Sequence, residues 1–235
     1  MQRPVIALQN RLLDALPRDA HALIAPHLTQ VDLERGRLLY DPGDPIDQVY
    51  FPHDGVISLM TLMESGAAIE SATIGPEGAL GLMAAVAPRQ SLSRAIVQTP
   101  LRAARISAER LHEAWERSPA IRDLVDRHTE ALFGHAIQSV ACNALHSVEA
   151  RFCRWLLTCH DRISTDTVAL TQEFLADMLG VQRTTVTAVA RSLQEKGAIR
   201  YRRGVVDIID RPALEALTCE CYGVIRKNYQ RLLGR

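Results

Sequence analysis

The spacing of apolar positions changes along this chain, and each change predicts a different kind of element. Up to Leu28 the apolar residues Leu8, Leu12, Leu13, Leu16, Leu23, Ile24 and Leu28 recur at helical spacing, interrupted at Pro17. Over residues 31–107 the texture becomes short apolar or alternating runs cut by Gly and Pro. Leu38-Leu39-Tyr40 is followed by Pro42-Gly43-Asp44-Pro45, and Val49-Tyr50-Phe51 by Asp54-Gly55. Residues 56–63 and 69–74 then flank Ser65-Gly66, and Gly75-Pro76-Glu77-Gly78 closes the series. Turn residues at roughly 8–12-residue spacing predict an all-β sandwich or barrel. Residues 79–86 are small and apolar, and read as a short helix.

Residues 119–145 predict one long helix with proline in its first turn. Ile121, Val125, His128, Leu132, Ala136 and Val140 share a face, while Ala131, Gly134, Ala136 and Ala141 keep it slim. Such a helix needs a partner: the same helix of a second subunit, or its own β domain. The stripe outruns the height of a small barrel, which favours the dimer. His128 and His135 would then lie near the seam, as polar packing or, in a rival reading, as a haem or pH sensor. Helix resumes after Val148 and continues through Cys159. A polar link over residues 161–166 leads into a compact second domain.

Residues 170–197, LTQEFLADMLGVQRTTVTAVARSLQEKG, carry the clearest functional pattern. Thr171 can cap a helix whose apolar positions are Phe174, Leu175, Met178 and Leu179, and Gly180 can end it in the left-handed conformation. A second helix over residues 183–196 turns Val186, Val189, Ala190 and Leu193 inward, and Gly197 stops it. Small Ala176, the glycine turn and wedge-filling Val181, Val186 and Val189 are what a tight helix-turn-helix crossing requires. The outer face then offers Gln182, Arg183, Thr184, Thr187 and Arg191 to base edges and phosphates, with Thr171, Gln172 and Thr185 placed to grip phosphate. Ile199-Arg200-Tyr201 and residues 205–209 alternate like strands around Arg202-Arg203-Gly204, a cationic wing whose Arg200, Arg202 and Arg203 can meet the DNA backbone. A helical hairpin that merely packs needs none of these exposed cations.

Overall charge adds little until it is split. The 27 Lys+Arg and 27 Asp+Glu cancel, but residues 171–235 hold 11 Lys+Arg against 7 Asp+Glu, leaving 16 against 20 upstream. A basic end on a slightly acidic body suits a polyanion. No apolar run approaches the roughly 18 residues of a membrane span, and the start of the chain has no signal-peptide pattern, so a cytoplasmic protein without a membrane partner is expected. The five cysteines, Cys142, Cys153, Cys159, Cys219 and Cys221, form no disulfide framework. Cys219 and Cys221, placed on one last helix, would diverge by about 200 degrees and share no metal. They are expected to be small buried residues, with redox sensing at an exposed thiol as the rival; no metal and no cofactor are expected. Phosphate-cradling loop, nucleophile elbow and HExxH are all missing from the sequence, so an enzyme is not expected.

With these features in order, the chain resembles the Crp/Fnr family of bacterial regulators. Gly36-Arg37-Leu38-Leu39-Tyr40 with Pro42-Gly43-Asp44 is similar to the family's early strand and turn, and Val49-Tyr50-Phe51 with Gly55 to its next hairpin; residues 170–197 and the wing are the most specific match. The resemblance implies an α+β fold: an N-terminal β jelly-roll of cyclic-nucleotide-binding-like type (residues 1–118), a long dimerisation helix (119–146) and a C-terminal winged helix-turn-helix (147–235). It implies a homodimer on palindromic double-stranded DNA, a small-molecule effector, and RNA polymerase as a candidate partner. Gly75, Glu77, Gly81 and Arg94 would lie at the effector pocket. Two departures bear on that effector. Where cyclic-AMP-binding members carry a Gly-Glu pair this chain has Gly81-Leu82, and Ser93 stands where their phosphate-binding arginine falls, with Arg94 one place over. An effector other than cyclic AMP is therefore expected. On the recognition helix Arg183, Thr184 and Ala188 stand where readers of the TGTGA half-site use Arg, Glu and Arg, so only the first contact carries over. The iron–sulfur branch uses N-terminal cysteines, and none precedes Cys142. The other function class left open is an effector-binding or redox-sensing interaction module with a vestigial helix-turn-helix.

Overall fold

In a computed structural model, which describes residues 10–234, the chain folds into a β-roll wrapped by helices, a long helix, and a small helical domain with a three-stranded wing. Leu8, part of the predicted N-terminal helical stretch, lies outside the described residues. The remainder of that stretch forms α1 (Arg11–Asp14) and α2 (Arg18–Ile24), separated at Pro17, which takes the N-cap position of α2.

Seven strands build the roll: β1 (Thr29–Leu33), β2 (Leu38–Tyr40), β3 (Gln48–Pro52), β4 (Ile57–Leu62), β5 (Ala68–Ile74), β6 (Arg94–Val97) and β7 (Leu101–Ser107). All pair antiparallel, in two sheets of order β1-β7-β3 and β2-β6-β4-β5. Strands β2 to β5 fall where the apolar runs and their turn residues place them, while no such run marked β1, β6 or β7. Tyr40, Ile57, Ile74, Ala95, Val97, Leu101 and Ala103 fill one core between the sheets. Residues 82–85 make only a short 3-10 turn, entered through Gly81 at φ 81°. There a Cβ would meet Ile46 Cγ2 at 2.8 Å and the Gln48 carbonyl at 2.9 Å.

Helix α3 (Ala108–Arg117), capped by Ser107, leads into α4 (Pro119–Leu145), whose bounds match the expected long helix. Its packing corrects the single-stripe reading, because α4 carries two apolar faces. Ile121, Leu124, Val125, His128, Ala131 and His135 are buried against the chain's own body. A second line, Phe133, Ile137 and Val140, is 67%, 54% and 71% exposed. The predicted stripe mixed these faces, since Ile121 lies inside and Val140 outside.

His128 and His135 are each 2% exposed and face inward, not toward any seam. The Ala79 N–H donates to His128 Nε2 at 3.1 Å, which requires a neutral acceptor nitrogen. His135 meets Tyr229 edge-on.

Helix α5 (Val148–His160) supplies the fully buried Phe152, Leu156 and Leu157, as well as Trp155. Strand β8 (Thr167–Ala169), helices α6 (Gln172–Leu179) and α7 (Arg183–Glu195), and strands β9 (Ile199–Arg202) and β10 (Val205–Ile208) follow. The wing sheet has order β8-β10-β9, so it has a third strand, directly after the polar link, that the sequence pattern did not mark. Helix α8 (Arg211–Leu217) then leads to α9 (Cys221–Leu232), which leaves the winged unit and packs along α4. Among the described residues, no helix is long and apolar enough to cross a membrane.

The two halves share buried surface. Val56 and Met60 of the roll belong to the same apolar cluster as Trp155, Leu175 and Leu193. Arg162, 4% exposed, reaches from the end of α5 into the turn after β5. It pairs with Glu77 and donates to Thr73 Oγ1 at 2.6 Å. The backbone N–H of Gly55 donates to the Arg162 carbonyl at 2.8 Å. Glu70, also buried, accepts from Ser58 within the roll and from Trp155 Nε1 across the same seam.

Two outcomes follow. Burial lowers the His128 pKa from 6.5 to about 4 in the fold. The folded chain therefore binds fewer protons than the unfolded one in that range. The stabilisation is fully present above pH 6.5 and is lost progressively as the pH falls to about 4, up to about 3 kcal/mol. Denaturant unfolding of wild type and His128→Asn at several pH values should show their stability difference shrinking toward pH 4. A pH-independent difference would contradict the buried neutral ring. Glu77→Gln strands the buried Arg162 charge and should cost about 3–5 kcal/mol by the same assay; a loss under about 1 kcal/mol would mean that the guanidinium reaches water.

Candidate nucleic-acid interface

Thr171 takes the N-cap position of α6, its side chain accepting from the Phe174 N–H at 3.2 Å. Gly180 ends α6 at φ 62°, and the Val181 N–H closes the turn on the Ala176 carbonyl at 3.0 Å. A Cβ on Gly180 would also press on Ile69 Cδ1 of β5 at 3.0 Å, so the helix-turn-helix turn itself rests on the roll. Val186, Ala190 and Leu193 bury the inner face of α7 at steps of four and three.

The outer face stays uncovered by the chain. Gln182, Arg183, Thr184, Thr187 and Arg191 are all exposed, while Thr185 is half-buried. Thr187 Oγ1 donates back to the Arg183 carbonyl at 3.0 Å, so its hydroxyl proton is held by the helix backbone. Thr171, Gln172, Arg183, Arg203 and Gly204 line one shallow concavity; Gln172, Thr184, Thr187 and Arg191 line a second. Tyr201 borders both. Its N–H donates to Gln194 Oε1 at 2.7 Å and its hydroxyl to the Leu170 carbonyl at 3.2 Å, so it joins wing, α7 and the start of α6.

The wing turns through Arg203 at φ 49° and Gly204 at φ 76°, two consecutive left-handed residues between paired Arg202 and Val205. That is the type I′ hairpin geometry, which an arginine adopts only at a conformational cost. It puts the cationic side chain of Arg203 at the tip. Arg200 and Arg202 are likewise exposed.

Sequence reading did not find Glu173. Its Oε1 lies 2.5 Å from Arg183 Nη2, both side chains being exposed. Such a pair is worth about 0–1 kcal/mol, so a competing phosphate or guanine can displace it. The i to i+10 separation across a glycine turn hides this contact from any helical periodicity. Tyr201 was also missed; its apolar alternation on β9 marked it only as a strand residue.

Of the four residues expected at an effector pocket, Gly75 and Glu77 meet at Arg162, while Arg94 and Gly81 have other partners. Glu77 is spent on Arg162, in the seam between the halves. Gly75 is there to admit that arginine, since a Cβ would lie 2.4 Å from Arg162 Cδ. Arg94 makes a bidentate pair with Asp41 through Nε and Nη2, both bonds 2.8 Å, which spends one edge of its guanidinium. Gly81 shapes the turn packed on β3.

All five cysteines are buried, so none is the exposed thiol that redox sensing would require. Burial pushes the Cys153 thiol up to about 12 and the Cys159 thiol well above its usual range. The placement of the C-terminal pair differs from expectation: Cys219 lies in the link before α9, and only Cys221 lies on it. The helical divergence that separated them does not apply.

Residues 30–118 match the cyclic nucleotide-binding domain family, and residues 150–217 the Crp-like helix-turn-helix domain family. Among similar proteins, a global nitrogen regulator of Nostoc sp. is 24% identical over 185 residues, covering 74% of this chain and 82% of its own. A CRP-like cAMP-activated global transcriptional regulator of Mycobacterium tuberculosis is 25% identical over 198 residues, 81% of this chain and 88% of that protein. Among solved structures, FixK2 from Bradyrhizobium japonicum superposes with a TM-score of 0.69 at 18% identity, covering 82% of this chain and 98% of that one. The c-di-GMP responsive global regulator CLP of Xanthomonas campestris gives 0.62 at 18%, covering 83% and 100%. A cyclic nucleotide-binding domain followed by a Crp-like helix-turn-helix, in one chain and in this order, places the protein in the Crp/Fnr family of transcription regulators.

Proposed function

We propose that this regulator acts as a homodimer on palindromic duplex DNA, reading bases with Arg183, Thr184, Thr187 and Arg191 and gripping the backbone with Thr171, Gln172, Gln182, Thr185, Arg200, Arg202 and Arg203. The observation that carries this is the continuous exposed surface from the first turn of α7 to the wing tip, formed by Arg, Thr and Gln side chains that the chain leaves uncovered. A helix-turn-helix used only for packing would need its buried inner face alone, not cations, threonines and glutamines gathered outside and continued into the wing.

The dimer reading is supported by Phe133, Ile137 and Val140, an apolar line along a 27-residue helix on the face opposite its internal packing. Two copies joined there would set the distance between recognition helices. Operator half-sites lie about 34 Å apart, so a change in the angle of α4 switches affinity.

For the effector, cyclic AMP fits poorly. Leu82 supplies no carboxylate for a ribose, and Ser93 stands where the phosphate-binding arginine of cyclic-AMP-binding members falls. The Mycobacterium and Xanthomonas relatives are described as responding to cAMP and to c-di-GMP, so one fold serves different ligands. RNA polymerase is a candidate partner of the DNA-bound dimer.

Arg183→Ala should weaken operator binding by about 1–3 kcal/mol and relax preference at one base pair, whereas Arg203→Ala should weaken all sequences alike and reduce the salt slope by about 1. Fluorescence anisotropy on matched and mismatched duplexes separates them, and an Arg183→Ala protein with unaltered sequence preference would remove that residue from base readout. Ile137→Glu should turn the dimer into a folded monomer by sedimentation with near-wild-type circular dichroism. A dimer that persists would assign the interface elsewhere.

A further inference from the structure

The end of the long helix, the start of α5 and the link before α9 converge on one point. Cys142 and His146 come from α4 and its C-cap, Cys219 from the link, and Cys221 from the first position of α9. Their ligand atoms all lie within 4.8 Å of one another. Cys142 Sγ is 3.6 Å from Cys219 Sγ, and Cys221 Sγ is 3.5 Å from His146 Nδ1. A regular tetrahedron with ~2.3 Å metal–sulfur bonds has sulfur–sulfur edges of about 3.8 Å. The side chains thus already stand at the spacing of a mononuclear tetrahedral centre. A four-iron cluster would need them much farther apart, and a disulfide would use only two of the four.

The surroundings are those of a metal ligand set. His146 turns Nδ1 toward the sulfurs, while Nε2 lies 3.2 Å from the Glu220 carboxylate, the arrangement that orients a ligating imidazole. Gln138 Nε2 donates to Cys221 Sγ at 3.0 Å. Ala150 packs against the three sulfurs, which are buried, while the His146 side chain is 23% exposed and gives an ion a way in.

Charge supplies an independent argument. Arg151 is 7% exposed, has no ion pair among the described residues, and leaves Nε without a partner. Its Nη1 donates to Asn143 Oδ1 at 3.1 Å, beside Cys142 in the chain. A buried guanidinium with no anion is costly. Three thiolates, a neutral imidazole and a divalent ion sum to one negative charge, which is the counterion Arg151 lacks. Arg151 also donates to the Leu179 carbonyl at 2.9 Å, at the end of the first helix of the helix-turn-helix.

We propose that Cys142, His146, Cys219 and Cys221 bind one zinc-class divalent ion, which ties the end of the long helix to the last helix and, through Arg151, to the DNA-binding hairpin. A tetrahedral set of three thiolates and one imidazole selects zinc over harder cations. Binding displaces the thiol protons still present to solvent, and no electron is transferred.

The test uses the full-length chain, stripped with chelator under reducing, anaerobic conditions and titrated with Co2+. Expected are the visible d–d bands of tetrahedral cobalt with sulfur-to-cobalt charge transfer, saturating at one ion per chain and abolished by Zn2+. Zn2+ should raise the unfolding midpoint by on the order of 5 °C. Both effects should disappear in Cys142→Ser and Cys219→Ser and survive in Cys153→Ala, which alters a buried thiol outside the set. Reduced wild type that gives only octahedral cobalt spectra, or tetrahedral bands that persist in the double Cys142→Ser, Cys219→Ser variant, overturns the proposal. An iron–sulfur chromophore in anaerobically purified protein would overturn it as well. None of these readouts involves DNA, so failure here leaves the DNA-binding reading standing, and the reverse holds too.

Discussion

The buried contact of Arg162 with Glu77 and Thr73 holds the two halves of the molecule in one arrangement. A guanidinium taken out of water is tolerable only where a carboxylate and further acceptors await it in fixed geometry. The turn after β5 provides that geometry: Gly75 removes the Cβ that would strike the arginine, and Gly78 admits the His128 ring whose Nε2 receives the next N–H. The residue that connects α5 to the wing sheet is thereby locked to the turn that closes the roll. Glu70 with Trp155, and Ile69 under Gly180, extend the same seam toward the helix-turn-helix. Any ligand that shifts the turn at residues 75–78 must move Arg162, and with it the start of the DNA-binding unit.

The long helix mediates between this internal seam and the outside. Its inner face contributes Ile121, Leu124, Val125 and Ala131 to the core that also receives Ile225, Tyr229 and Leu232 of α9. Its outer face keeps Phe133, Ile137 and Val140 uncovered. A helix packed on one side and apolar on the other can translate an internal rearrangement into a changed angle between subunits. The cysteine and histidine cluster sits at the end of that helix, where it could stiffen the lever. The exposed face of α7 follows the same logic at smaller scale, since the Arg183–Glu173 pair is weak enough to yield to a competing anion, while the strained Arg203 turn keeps a cation at the wing tip without a long loop.

Much of the fold was legible in the chain. The period of apolar residues with Gly, Pro and Ser/Thr caps located β2 to β5, the full length of α4 and the crossing of α6 with α7, because those elements are set by local backbone preference and by which face must be buried. The exposed Gln182 to Arg191 surface was legible for the same reason: once one helical face is apolar, the other is known. The third wing strand and helix α3 were not legible. Three residues carry too short an alternation to stand out beside a polar link, and Ser107 is at once the last residue of β7 and the cap of α3, so no break marks the change.

What sequence by itself determined was the order of elements and the chemistry of each face, since these depend on neighbours three to four residues apart along a helix or two along a strand. What only the tertiary structure decided was which distant residues meet. Glu77 and Arg94, both placed at a ligand pocket by position, are matched to Arg162 and Asp41. Cys219 and Cys221, set apart as diverging on one helix, come together with Cys142 and His146 because that helix begins only at Cys221. Contacts between residues this far apart in the chain are fixed by how whole layers stack, and no local pattern carries that information.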